Sequence, residues 1–402
     1  MSHSLIIGEK PGDDEEPIVS MLNEEVAARL AGHLRNDTTD LAASDLHVPI
    51  SHFVSQERAA AEREAIRKVP LIVARGSEIA EPGDFVTREV LGVPLILVRR
   101  SNGSVGCYVN MCRHRGGRVE YESCGSKRVF MCRYHGWTYG REAGELRHVP
   151  YEEFFDPIDH AENGLRTVDA EEAHGFVWID FAGDTNRSIA DYLGPDVQRH
   201  LGELSLDRCQ IFLDRSITLD INWKIVLDGA IDVLHPKFLH PAGVGRLIET
   251  NTSVWRSYGR HGQSFSPRRK MTKLVKADEP VDGLWKYIGS NMFIYPNSMI
   301  IAAPDHVEFW TVWPSKDNPA QSTTNIRFLV RPEILDEAMA ARLNKSWEIL
   351  EQAAREEDWP MEQTIQENSK ACPDGFYRYG RNEQPCQHLH RQLARDIDDA
   401  RD

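Results

Sequence analysis

Along the chain the spacing of apolar and polar positions changes several times, and each change marks a predicted element. Over residues 21–68, Ala, Glu and Arg dominate in segments such as EEVAARLAGHL and ERAAAEREAIRK, which predicts helices with a break around His47 to His52. Over 69–182 the texture becomes short β-branched runs: PLIVARG, DFVTREVLG, VPLILVRR, VGCYVN, KRVFMC and GFVWIDF, with SNG and PG at the turns. Runs of that length between turn residues predict a small antiparallel β domain. Beyond it the signals mix. INWKIVLDGAIDVLH has helical period and is expected to end near His235, because Pro236 lacks an N–H and disfavours helix in the residue before it. NMFIYPNSMIIAA and HVEFWTVWP read as strands, and PEILDEAMAARLNKSWEILEQAAREED as a long amphipathic helix. Strands and helices in separate runs, with no regular βαβ alternation, predict an α+β fold. Residues 1–20 are acidic and read as a mobile tail.

Composition narrows the class. The 402 residues, 41% hydrophobic and 27% charged, suit a soluble globular protein long enough for two domains. A formal net charge of -15 argues against nucleic acid as a main partner. No run approaches the roughly 20 apolar residues of a membrane span, and MSHSLIIGEKPGDDEEP has neither the basic start nor the apolar run of a secretory signal. Seven cysteines, an odd and sparse count, do not make a disulfide framework. The expectation is a cytoplasmic protein in a reducing compartment, without membrane or nucleic-acid contacts.

Three of those cysteines fall in MCRHRGGRVEYESCGSKRVFMCRYHGWTYG, residues 111–140. Cys112-x-His114 and Cys132-x-x-His135 are separated by seventeen residues, and each reads as half of a metal site. Thiolate and imidazole hold zinc or iron–sulfur clusters. A Cys2His2 zinc site competes on residue types alone, but zinc fingers usually set a Cys pair before a His pair. Here each half contains one of each. In a Rieske [2Fe–2S] centre two histidines replace two cysteines on one iron, so each loop can give one ligand to each iron. Cys107 and Cys124 lie at other offsets and read as ordinary reduced residues.

CRHRGGRV followed by CRYHGWTYG closely resembles the Rieske domain of the alpha (catalytic) subunits of Rieske non-haem iron oxygenases, the ring-hydroxylating family. Respiratory Rieske electron carriers resemble the chain at the ligands, but they carry an additional cysteine in each loop and a membrane anchor. HRGG and HGWT contain no cysteine. The oxygenase resemblance covers nearly the whole chain. It implies a Rieske [2Fe–2S] domain at 69–182 and a mononuclear non-haem iron catalytic domain at 183–402, with an antiparallel sheet flanked by helices. The helices of 21–68 would pack on the catalytic domain. Cys112, His114, Cys132 and His135 would be the cluster ligands.

A cluster passes electrons singly and needs a destination. Asp232-x-x-His235-x-x-x-x-His240 offers one: residues three apart on a helix share a face, and a turn after Pro236 can bring His240 back. Two imidazoles and a carboxylate, with positions left open, make the facial triad of non-haem Fe(II) oxygenases. Two histidines that merely cap a helix are the alternative. The segment resembles the family signature N-W-K … D/E-x-x-H-x-x-x-x-H, which makes His235 and His240 iron ligands. The third ligand lies among Glu356, Glu357 and Asp358. The apolar stripe Leu343, Trp347, Leu350, Ala354, Met361, Ile365 puts both Glu357 and Asp358 near the buried face, with Glu357 nearer its centre. Periodicity does not choose between them; the resemblance selects Asp358, with Glu357 as runner-up. It also implies that Asp232 is no ligand but joins His235 to His135 of the partner subunit. A carboxylate accepting from two imidazoles orients both.

Where many relatives have Glu-Asn and a tyrosine, this chain has Asp228-Gly229 and Leu234, so no single branch supplies the substrate. Asp228 reads as a further supporting carboxylate. His388 and His390 read as a surface segment, His148 and His306 as structural. Arg99 to Arg147 holds ten Lys plus Arg against four Glu, a local +6 that suits an acidic electron donor. The implied activity is O2 activation at the mononuclear Fe(II), with mono- or dihydroxylation of a small aromatic or similar organic substrate. Oxidative N- or O-demethylation of a quaternary amine or methoxy compound is the alternative, and an electron carrier or redox sensor the reading of another class. Electrons would come from NAD(P)H through a separate reductase or ferredoxin, since no dinucleotide fingerprint occurs here. A homotrimer is expected, with a small β subunit as a variant.

Overall fold

The β-branched runs pair into sheets and the Ala- and Glu-rich runs cover them. A computed structural model describes residues 24–183, 187–241, 243–279, 287–303 and 305–398; the acidic segment 1–20 lies outside the described residues. Helix α1 (Glu24–Asn36), strand β1 (Leu46–Pro49) and helix α2 (Gln56–Arg67) come first. The expected break at His47 to His52 is thus a strand followed by a 3-10 turn, Ile50–Phe53. Ser55 then starts α2 by accepting a hydrogen bond from the Arg58 N–H at 3.1 Å.

Ten strands follow: β2 (Leu71–Arg75), β3 (Asp84–Val90), β4 (Val93–Arg99), β5 (Val105–Val109), β6 (Cys124–Ser126), β7 (Val129–Met131), β8 (Thr138–Gly140), β9 (Leu146–His148), β10 (Thr167–Ala173) and β11 (Phe176–Asp180). Seven form an antiparallel sheet in the order β2-β11-β10-β5-β4-β3-β6, and β7-β8-β9 form a second, smaller one. A local core of Phe85, Ile96, Tyr108, Phe130, Trp137 and Tyr139 lies between them and encloses Cys112 and Cys132.

Helix α3 (Ile189–Leu204) leads to β12 (Gln210–Leu219), α4 (Trp223–Ile231), α5 (Pro236–Leu239), β13 (Val254–Tyr258), β14 (His261–Pro267) and α6 (Arg269–Lys276). Then come β15 (Ile288–Ile294), β16 (Ser298–Ala302), β17 (Val307–Pro314) and β18 (Ser322–Val330). They make an antiparallel sheet in the order β12-β18-β17-β16-β15-β14-β13. Along β18, Ser322, Thr324, Ile326 and Phe328 are buried at alternate positions, as a sheet covered on one face requires. Helix α7 (Glu337–Ala353), a π turn (Ala354–Asp358), α8 (Trp359–Ala371), β19 (Phe376–Tyr379) and α9 (Gln384–Asp398) complete the chain. The fold is α+β, as the pattern predicts, and β19 pairs with β1 to join the two ends of the chain. Val26, Leu30 and Leu34 of α1 pack on Val254, Phe265 and Met271, each burial worth about 1.5–3 kcal/mol. Among the described residues no helix is long and apolar enough to cross a membrane.

The sequence Asn-Trp-Lys at the start of α4 has a physical task. Asn222 caps the helix by accepting from the Lys224 N–H at 3.0 Å, and its Nδ2 donates to the carbonyls of Phe53 and Pro319. The Trp223 indole donates to Glu62 Oε2 at 3.1 Å. Lys224 Nζ lies 2.7 Å from the same oxygen, and both charged side chains are only 1% exposed. This buried pair ties α2 to α4, the helix that leads into Asp232 and His235.

Candidate metal centres

Cys112 and Cys132 open two loops of the same construction. The Cys112 N–H donates to the Gly117 carbonyl at 2.7 Å, and the Gly116 N–H returns to the Cys112 carbonyl at 2.9 Å. In the second loop Cys132 donates to Trp137 and Gly136 to Cys132, both at 2.9 Å. Four residues after each cysteine stands a glycine in the left-handed region, Gly116 at φ 76° and Gly136 at φ 75°. A Cβ on Gly136 would also meet Pro150 Cγ at 2.9 Å. The loops bring His114 and His135 together, with ring centroids 4.5 Å apart. Trp137 stacks on His114 at 5.1 Å, and the Tyr139 hydroxyl lies 3.2 Å from Cys112 Sγ while accepting from the Arg113 N–H at 2.9 Å.

The donors suit a two-iron cluster. His114 Nδ1 is buried without a hydrogen-bond partner, the condition of an imidazole nitrogen kept for a metal. The four donors do not converge on one point. Among the described residues only His235, His240 and Asp358 bring three such atoms within 4.8 Å of one another. A single tetrahedral ion would hold all its donors within about 4 Å of one another; two irons do not require this.

At the second site the helix ends earlier than the periodicity predicts, at Ile231 rather than near His235. Asp232 is the reason. Its backbone turns extended, and its carboxylate takes up the freed donors: Oδ1 accepts from the Leu234 N–H at 2.9 Å, Oδ2 from the His235 N–H at 2.9 Å and from His235 Nδ1 at 2.8 Å. Burial works to raise its pKa, but these bonds hold it below the usual range. Asp232 and His235 therefore meet through a capping turn, not on one helical face. Pro236 then begins α5, where its missing N–H is harmless, and the single turn returns the chain to His240.

His240 Nε2 lies 2.9 Å and His235 Nε2 3.6 Å from Asp358 Oδ1. Glu357 reaches the other nitrogen, its Oε2 standing 2.6 Å from His240 Nδ1. Both acids come from the π turn Ala354–Asp358, whose wider winding shifts the phase of everything after it. The predicted stripe accordingly breaks: Ala354 is buried, but Met361 is 49% exposed. Burial pushes the Asp358 carboxyl above its usual range in spite of the two imidazoles, so a cation beside it is favoured. Two imidazole nitrogens and one carboxylate oxygen are the donor set of non-haem Fe(II) sites that keep positions open.

A cavity of about 390 Å³ borders this group, lined by His235, Asp358 and further acids that include Asp228 and Glu362. Glu362 escaped the sequence reading, although its spacing of four from Asp358 on a helix was an available signal. Burial, with Asp358 and Asp228 nearby, pushes its pKa well above the usual range. His390 is not a surface residue: it is 6% exposed, with Nε2 2.9 Å from Asp228 Oδ2. His388 is half-buried and contacts the Arg260 carbonyl at 3.0 Å. Both sit on α9, whose apolar side packs inward, a contact that local composition does not reveal. His306 is buried beside Asp305, and His148 is exposed on β9.

Paired Cys and His loops together with a two-His, one-carboxylate group in one chain define an oxygenase that draws electrons through an iron–sulfur cluster. Comparison with known proteins agrees. The description "Rieske [2Fe-2S] domain" matches residues 69–158, and "Ring hydroxylating alpha subunit (catalytic domain)" matches residues 206–399. The chain belongs to the Rieske non-haem iron oxygenases as an alpha subunit, an enzyme whose cofactors are a Rieske [2Fe–2S] cluster and mononuclear iron. It is 24% identical over 358 residues to the glycine betaine monooxygenase oxygenase subunit of Pseudomonas aeruginosa (strain UCBPP-PA14), covering 79% of this chain and 80% of the relative. It is 32% identical over 284 residues to the large oxygenase component of the naphthalene 1,2-dioxygenase system of a Ralstonia species, covering 60% and 62%. The crystal structure of a quaternary ammonium Rieske monooxygenase with an inhibitor shares the fold, with a TM-score of 0.72 at 19% identity over 92% of this chain and 98% of that one.

Proposed function

We propose that Cys112, His114, Cys132 and His135 hold the Rieske cluster, and that His235, His240 and Asp358 hold the mononuclear Fe(II). The chain then acts as the terminal component that hydroxylates a small organic substrate. The observation that carries this reading is the meeting of two Nε2 atoms and one carboxylate oxygen within 4.8 Å, beside a cavity of small-molecule size. Bound there, the iron supplies O2 activation with electrons passed on from the cluster. The protein's own groups orient the ligands. Glu357 accepts from His240 Nδ1 and Asp232 from His235 Nδ1, which leaves each Nε2 lone pair for the metal. Asp232 would also accept from His135 of the partner subunit, in a head-to-tail ring that closes as a homotrimer.

The donor is a separate reductase or ferredoxin, for which the basic stretch around the cluster is a complementary surface. Demethylation of an amine is the second reading. It is supported by the resemblance to glycine betaine monooxygenase and by the acids that line the cavity. The test is iron against acid-labile sulfide in anaerobically purified protein, with the EPR spectrum of the reduced cluster. Roughly three irons to two sulfides with a Rieske signal is expected. A ratio near one that Fe(II) does not raise removes the mononuclear site, and zinc without sulfide removes both.

A further inference from the structure

The cavity beside the triad holds more acid than the triad uses. Asp358 faces the two Nε2 atoms, and Asp232 is engaged with His235 and its own turn. Glu383 accepts from the Gly380 N–H, which leaves Asp228 and Glu362. Asp228 Oδ2 accepts from the Tyr379 hydroxyl at 2.6 Å and lies 2.9 Å from His390 Nε2, but its Oδ1 is buried without a partner. Glu362 is 7% exposed, and its Oε2 is likewise buried without a partner. A Cβ at residue 229 would come within 2.1 Å of Glu362 Oε1, so Gly229 is what lets this carboxyl lie over α4. Rings of Phe53, Tyr377 and Tyr379 line the same space. The one basic side chain among the described lining residues, Arg378, is 63% exposed and lies 3.6 Å from Asp45. Two buried acceptors therefore belong to residues that line a small aromatic-walled cavity whose own inward donors are already engaged, the Tyr379 hydroxyl with Asp228, the Tyr377 hydroxyl with Ser369, the Cys386 thiol with the Asp228 carbonyl and His235 Nδ1 with Asp232. Buried acceptors are normally satisfied, and aromatic faces favour a cation.

We infer that this cavity takes a substrate bearing a protonated amine, whose N–H groups donate to Glu362 Oε2 and Asp228 Oδ1. The inference rests on the oxygenase reading above and names its substrate class: a primary, secondary or tertiary alkylammonium. A quaternary ammonium has the charge but no N–H, and would leave both oxygens unpaired. A neutral aromatic offers neither. The chain thus parts from the glycine betaine monooxygenase it resembles. Sites built to hydrogen-bond an N–H reject analogues that lack it far more strongly than apolar pockets reject a missing methyl.

The test is anaerobic titration calorimetry on protein loaded with cluster and iron. The probes are alkylammonium ions from methylammonium to N-methylbenzylammonium, with benzyltrimethylammonium and neutral benzyl methyl ether for comparison. The expected result is at least tenfold tighter binding of the best N–H-bearing cation than of either comparison compound. Glu362→Gln and Asp228→Asn should each weaken that cation about tenfold, weaken benzyltrimethylammonium by less, and leave the neutral ether unchanged, with the cluster absorbance and melting temperature as checks of folding. Equal affinities, no binding by any N–H-bearing probe, or variants that keep the preference overturn the inference. Iron and sulfide are measured on the same sample. A missing third iron would instead sink the oxygenase reading, so the two failures are distinct.

Discussion

Glu357 and Asp358 are neighbours in sequence with different partners, and separating them tests the assignment of the triad. Asp358→Ala removes the oxygen that faces both Nε2 atoms at 2.9 and 3.6 Å. Glu357→Gln leaves those three donors and changes only the acceptor 2.6 Å from His240 Nδ1. A hydrogen bond to a charged group contributes about 1.5–3 kcal/mol, and at about 1.4 kcal/mol per factor of ten this is roughly 10–150-fold in iron affinity. The range agrees with the 10–100-fold typical of groups that support a metal ligand. Loss of a ligand should exceed it. The assay is anaerobic Fe(II) titration of iron-depleted protein, with sulfide and the EPR of the reduced cluster as internal standards. Asp358→Ala should fall to about one iron per sulfide with an unchanged cluster signal, and Glu357→Gln should fill at 10–100 times more Fe(II). The opposite pattern, iron kept in Asp358→Ala and lost in Glu357→Gln, would exchange the roles. Full occupancy in both would refute the triad.

Other perturbations test the surrounding structure. Lys224→Met leaves the buried Glu62 carboxylate with Arg58 and the Trp223 indole alone and should cost up to about 3–5 kcal/mol, read as a fall in melting temperature on the order of 10 °C; an unchanged melting temperature would deny the pair that role. Tyr139→Phe removes the hydroxyl 3.2 Å from Cys112 Sγ and should lower the cluster potential by about 20–60 mV in protein-film voltammetry; an unchanged potential would deny that hydrogen bond. Burial alone would lower the pKa of His306, but its hydrogen bond with Asp305 and the Glu308 carboxylate 3.8 Å away raise it to about 9. With the folded value above the unfolded one, its contribution is full below about pH 6.5 and fades as pH rises through 9. The unfolding free energy from urea titration should therefore fall over that window by up to about 3 kcal/mol, with a flatter profile in His306→Gln. Reduction of the cluster by an acidic donor should slow as ionic strength rises, and a salt-independent rate would remove the docking surface.

Much of this architecture is legible in short stretches of chain. The strand runs, the α+β class and the two Cys/His pairs depend on neighbours in sequence: side-chain alternation, turn residues, ligand spacing. Cys112 and Cys132 could be picked out because a loop that offers ligands must carry them close together, with a glycine where the backbone turns left-handed. His235 and His240 stood out for a similar reason, since one turn after a proline is enough to return the chain.

Tertiary structure decided the rest. Which of Glu357 and Asp358 faces the two Nε2 atoms turns on a π turn, and a constant 100° per residue cannot express its extra winding. The helix before His235 stops at Ile231 because the Asp232 carboxylate captures the Leu234 and His235 N–H groups, which a continuing helix would bond to its own carbonyls. His390 and Glu362 are ordinary polar helix residues in sequence, and only packing of α9 and α8 against α4 buries them beside Asp228. By itself the sequence determined which side chains are able to bind metal. Which of their atoms meet, and which acids are left facing the cavity without a donor, depends on contacts between residues far apart in the chain. Such contacts leave no periodic trace along the chain.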